Sequence, residues 1–144
     1  MRTLNTMGAK NTTAIRDDGE GWRVLTATVL HAGILHLGMN MLMLMRLGIN
    51  MEETFGTPRV CIIYVGSGVF GMIISAIFLP TSVTTGASAS LFGLVGALFG
   101  DFIQNHRIMV EGKWPYFIQL CVSTIIGLVV GLLPGVCPSL LDLL

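Results

Sequence analysis

"VCIIYVGSGVFGMIISAIFL", residues Val60 to Leu79, is a run of twenty residues without one charged side chain. A hydrocarbon core is crossed by about 20 apolar residues in helical form. A helix also satisfies its own backbone donors and acceptors where water is absent. The run lacks the period-2 alternation of a membrane barrel strand, so it reads as a spanning helix. The whole chain agrees: 53% of its 144 residues are hydrophobic and 11% charged, with a mean hydropathy of +0.78. A soluble domain carries roughly 25% charged residues.

Outward from this run, three further apolar segments are predicted. The first is Val24 to Met45, followed by the polar link "RLGINMEETFGTPR" from Arg46 to Arg59. After Leu79 comes the uncharged link "PTSVTTG", then a third segment, Ala87 to Phe99, short for a full span. The polar link "GDFIQNHRIMVEGKW" leads to the fourth, Tyr116 to Leu133. Pro58, Pro80, Pro115 and Pro134 stand at segment edges, where proline is tolerated. The expected fold class is an all-α polytopic transmembrane helix bundle of about four helices. Residues 1–23 form a polar arm, 24–134 the membrane domain and 135–144 a short tail. Trp22 suits an interfacial anchor.

Small residues recur four apart at Ser67, Gly71 and Ser75, at Ala89, Gly93 and Ala97, at Gly96 and Gly100, and at Gly127 and Gly131. This spacing lets helices approach closely in lipid. The formal net charge is zero, which gives no support to a nucleic-acid partner. Four basic residues lie in the arm (Arg2, Lys10, Arg16, Arg23) and four in the links (Arg46, Arg59, Arg107, Lys113). Charge alone therefore leaves the orientation open. The arm has no apolar stretch of the kind a secretory signal needs. Cys61, Cys121 and Cys137 have no metal-binding spacing.

Polar residues at membrane depth face protein or a water-filled cavity. The first segment carries three, in "LHAGILHLGMNMLMLM" from Leu30 to Met45: His31, His36 and Asn40. His36 and Asn40 share a helix face. On a continuous helix His31 would point about 140° away, which suggests that it belongs to the lead-in. Three readings are open. A metal site would recruit further ligands, and no carboxylate lies in the segment. Interhelical hydrogen bonding is the plainest reading. The third is a pair of donors aimed at a developing oxyanion, which requires a nucleophile. Ser88, in "GASAS" from Gly86 to Ser90, opens a short helix after an uncharged loop. A helix start offers free amides, but serine is also a common N-cap, and Ser90 is an equal candidate for a cap.

Together, "HAGILHLGMN" and "GASASLFGLVGA" resemble the rhomboid family of intramembrane serine proteases. "GINMEETFG", through Gly48, Glu52 and Gly56, resembles the family's G-x-x-x-E-x-x-x-G link, and "GWRVLTATVLHAG" its approach to the first motif. The wording is similar to that of eukaryotic, especially plant-type, members from about Gly21 to Pro134. The resemblance implies a multi-pass membrane protein with the family's second to fifth helices. Ser88 would be the nucleophile. His36 and Asn40, with the Ser88 amide, would stabilise the oxyanion, and His31 and Gly86 would support them. Glu52 would be structural, and the basic links would face the cytosol. The reaction implied is cleavage of a peptide bond in or near the transmembrane segment of a membrane-protein substrate, within the lipid bilayer and without a metal or cofactor. The organelle is not implied.

Two departures stand out. Ala89 replaces the usual glycine, and its methyl is expected to crowd the substrate carbonyl. The family's general-base histidine, in an H-x-x-G setting on the sixth helix, has no counterpart. The third histidine, His106, sits in a link beside Arg107 and is expected to be a solvated loop residue. A serine without an adjacent base is a weak nucleophile. The sequence thus reads as a truncated family member, expected to be inactive by itself. It is a fragment of an active protease, a pseudoprotease that binds membrane-protein clients, or a chain whose base comes from another chain.

Overall fold

A computed structural model describes residues 2–105 and 113–132. Seven helices fill the described residues: α1 (Arg2–Thr6), α2 (Thr12–Asp17), α3 (Arg23–Val29), α4 (Ile34–Phe55), α5 (Thr57–Phe78), α6 (Ser88–Asn105) and α7 (Lys113–Leu132). Among these residues the only extended pairing is an isolated bridge between Lys10 and Thr84. His106, Arg107, Leu133, Pro134 and the tail lie outside the described residues.

The fold is an all-α bundle, and α4 to α7 occupy the four expected segments with altered bounds. The first segment is not one helix. Leu30 is extended and Gly33 caps α4 in extended form, so Val24 to Met45 is split between α3 and α4. The expected link after Met45 is instead the second half of α4. Leu47, Met51 and Phe55 fall one turn apart and pack on the core, while Asn50, Glu52 and Glu53 stay exposed. That apolar stripe carries the helix on. It stops at Gly56, whose φ of +81° favours glycine. Across this turn Glu52 accepts hydrogen bonds from the Gly56 amide through its carbonyl and from the Thr57 hydroxyl through its carboxylate. The third segment also runs longer than expected, to Asn105, whose amide donates to Asp101 one turn back at 2.8 Å. α4 and α5 are each 22 residues and apolar enough to cross a membrane.

α6 is the central element. Leu91, Leu94, Val95 and Leu98 form its inward face, meeting Leu47 and Met51 of α4 and Leu120 of α7. Against α5 the contact is of another kind. Gly93 faces the Ser67 hydroxyl, Gly68 faces that of Ser90, and Gly71 faces the Ala89 methyl. A Cβ on Gly71 would lie 2.5 Å from that methyl. These antiparallel pairs bring the backbones together without a large side chain between them. Gly127 of α7 likewise admits Phe92 and Met43. Gly96 and Gly100, expected to pack similarly, have nothing within 4 Å of a Cβ position, because they lie off the inward face of α6.

The polar arm folds back on the bundle. Arg23 donates to the carbonyls of Asn5 (2.7 Å) and Ala9 (3.1 Å) and pairs with Glu20 at 2.5 Å. Thr26 donates to the Gly8 carbonyl at 2.7 Å. Lys10 is 0% exposed, and its ammonium donates to the Leu79 carbonyl at 2.8 Å.

Gly71→Ala is expected to lower stability by about 1–3 kcal/mol through overpacking. Adding Ala89→Gly should recover part of the loss, as thermal unfolding in detergent would register. Burial also pushes the Lys10 ammonium down to about 8, against about 10.4 for a free lysine. Between these values the unfolded chain holds a proton that the folded chain lacks, so stability rises with pH. Relative to Lys10→Met, the wild-type chain should gain on the order of 1–3 kcal/mol between pH 8 and 10.5.

Candidate active site

The first turns of α4 carry His36 and Asn40 on one face, each 5% exposed. Four residues is one helical turn, so their side chains stack along the axis. The face looks toward the segment between α5 and α6, where Gly86 lies. Gly86 has a φ of +124°, and its amide donates to the Ala27 carbonyl at 2.9 Å. A Cβ there would stand 2.8 Å from His36 Cε1 and 3.9 Å from Asn40 Nδ2. Glycine is therefore demanded twice, by the backbone conformation and by the imidazole pressed against it.

His31 lies in the break between α3 and α4. Its Nδ1 donates to the Val29 carbonyl at 3.1 Å, which leaves Nε2 as the unprotonated nitrogen of the neutral ring. Its ring meets that of His36 edge to face, with centroids 5.3 Å apart. The break allows this meeting. On one straight helix the two rings would point to different sides.

Ser88 is the first residue of α6 and is half-buried. The first amides of a helix have no partner within it, and the helix dipole gives that end a partial positive charge. Ser90 is different. It is 1% exposed, with its hydroxyl in the notch at Gly68 beside the Thr28 methyl, so it is a packing residue rather than a cap. The Ala89 methyl faces Gly71 of α5, so it packs in the helix seam. The helix phase explains this, since consecutive residues diverge by about 100°.

The structure thus brings His31, His36, Asn40 and Gly86 into one cluster, two residues before Ser88. His31 Nε2, His36 Nδ1 and Asn40 Nδ2 are buried without a protein hydrogen-bond partner. Buried polar atoms are ordinarily paired, and three such atoms in one place are poised to answer a polar ligand. An asparagine amide, an imidazole N–H and a helix-start amide are all donors suited to a negative oxygen. The sequence alone did not reveal the Ala27 carbonyl, which anchors Gly86. A carbonyl leaves no trace in residue type.

A family model described as the rhomboid domain matches residues 18–141. The chain is 40% identical over 134 residues to RHOMBOID-like protein 4 of Arabidopsis thaliana, covering 93% of this chain and 34% of that protein. It is 40% identical over 109 residues to Rhomboid protease GluP of Bacillus subtilis, covering 76% of this chain and 21% of that one. It is 35% identical over 106 residues to Inactive RHOMBOID-like protein 8 of Arabidopsis thaliana, covering 74% and 30%. The chain spans well under half the length of these relatives. With its apolar helices and these matches, the chain is a membrane protein and belongs to the rhomboid family, as a plant-type rhomboid-like protein.

Proposed function

We propose that this chain carries the nucleophile and the oxyanion donors of a multi-pass, rhomboid-like intramembrane serine endopeptidase. Ser88 attacks the scissile carbonyl of a peptide bond in or near a substrate's transmembrane segment. The Ser88 amide, His36 and Asn40 hold the negative oxygen of the tetrahedral intermediate. His31 supports the His36 ring edge-on. The observation that carries the reading is the closure of His36 and Asn40 on Gly86, with Ser88 two residues on at the start of α6.

Turnover also needs a base to take the Ser88 proton. The 144 residues contain three histidines and no H-x-x-G, so these residues by themselves are expected to be inactive. The same observation favours a second reading, in which the chain binds membrane-protein clients without cutting them. One of its relatives carries "inactive" in its name.

Chemical rescue separates the two. A serine-directed phosphonate probe on the purified chain is expected to leave Ser88 unlabelled. Added imidazole, standing in for the base, should restore labelling, which mass spectrometry assigns to Ser88. Labelling should vanish in Ser88→Ala, persist in Ser90→Ala and fall about 10²-fold in Asn40→Ala, the usual cost of an oxyanion donor. If imidazole restores nothing, the client-binding reading stands. Strong labelling without imidazole would overturn the need for an outside base. Gly86→Ala should abolish rescued labelling and cost about 1–3 kcal/mol in thermal unfolding, from strained φ and the displaced His36 ring.

A further inference from the structure

The segment from Leu79 to Gly86 sets where α6 begins, and therefore where Ser88 stands. It has no regular structure of its own. Besides the Gly86–Ala27 bond at one end, it is held by a polar knot with Lys10 of the N-terminal arm at its centre. The ammonium donates to the Leu79 carbonyl at 2.8 Å, the Ser82 hydroxyl at 3.3 Å and the Ser75 carbonyl at 3.4 Å. Its backbone exchanges two hydrogen bonds with Thr84, Lys10 N to Thr84 O at 3.0 Å and Thr84 N to Lys10 O at 3.2 Å. The Thr84 hydroxyl in turn lies 3.3 Å from that of Ser75 and 3.4 Å from that of Ser82. Thr12, two residues on in the arm, reaches the Ala76 carbonyl at 3.5 Å.

Every acceptor of the Lys10 ammonium is neutral. The ion pairs among the described residues are Arg16–Asp17 and Arg23–Glu20, and neither involves Lys10. A buried lysine without a carboxylate is an unusual choice, because burial disfavours the charged form. The end of α5 offers compensation: the Ser75 and Leu79 carbonyls accept from the ammonium there, and the dipole at a helix C-terminus favours a cation.

We infer that Lys10 is a positioning residue for the proposed Ser88 site, tying the N-terminal arm to the end of α5 and to the Thr84 backbone so that Gly86 and Ser88 are presented to His36 and Asn40. The link to catalysis rests on the function proposed above, whereas the clamp itself can be read without any proteolysis.

Hydrogen–deuterium exchange on the whole chain in detergent tests it. In Lys10→Met, peptides spanning residues 80–88 should exchange about 10-fold faster, as expected from losing a charge-assisted hydrogen bond. Peptides from the middle of α6, around Leu94 to Leu98, should not change. Lys10→Arg, which keeps a cation and its donors, should restore most of the protection. Loop exchange that stays at the wild-type rate, or an equal rise across α6, would overturn the proposal. If Lys10→Met fails to fold, Ser82→Ala serves instead. It removes one acceptor and should raise exchange in the same peptides alone; no rise there overturns the clamp. Loss of protection without any Ser88 labelling would leave the clamp intact and count only against the protease reading.

Discussion

Two helix backbones can come into close contact only where neither interposes a side chain larger than a small group. The α5–α6 seam meets this constraint by alternating occupant and notch: Ser67 into Gly93, Ser90 into Gly68, Ala89 into Gly71. Because occupant and notch change sides along the seam, sliding either helix by a residue would put a methyl or hydroxyl against backbone. The register of α6 is therefore set by α5. Ser88 adjoins the end of that seam, so its height relative to α4 is inherited from packing that involves no catalytic group.

The arm supplies a second level of order. Lys10 and Arg23 are the buried cations of the described residues, and both spend their donors largely on backbone carbonyls. Lys10 serves the end of α5, and Arg23 serves the turn around Asn5 to Ala9. Free carbonyls at helix ends and irregular turns are costly wherever water is scarce. Long cationic side chains reach several at once, so a polar arm can close over an apolar bundle without leaving its own backbone unpaired.

The parts legible in the sequence were those written within one element. The uncharged run of α5 needed only its length, and His36 and Asn40 needed only the helical period. Of the Ser67–Gly71–Ser75 spacing, Ser67 and Gly71 lie on the packing face, with Gly93 and Ala89 as their partners, while Ser75 meets Thr84 and Lys10. What stayed hidden depended on two elements at once. The apolar composition of Val24 to Met45 is continuous, so the extended backbone at Leu30 and Gly33 left no polar gap. In the second half of α4, Asn50, Glu52 and Glu53 masked the stripe of Leu47, Met51 and Phe55. The direction of the Ala89 methyl depends on how α6 is rotated against α5. Lys10 stood out only as one of four basic residues of a polar arm, because its carbonyl partners are 65 and 69 residues away.

The seam also divides α5 into two alphabets. On the side facing α6, positions 67, 68 and 71 are serine or glycine, and a single added methyl meets an atom. On its outward side Ile62, Val65, Phe70, Ile73 and Ile77 are exposed. There the surroundings ask only for hydrocarbon, and one aliphatic residue serves as well as another. Hydrophobicity across this helix is thus plentiful and carries little information, while the specificity of the fold is concentrated in its smallest side chains. Random substitution that preserved every apolar residue's character, but not the size of those few, would keep a membrane helix and lose its place in the bundle.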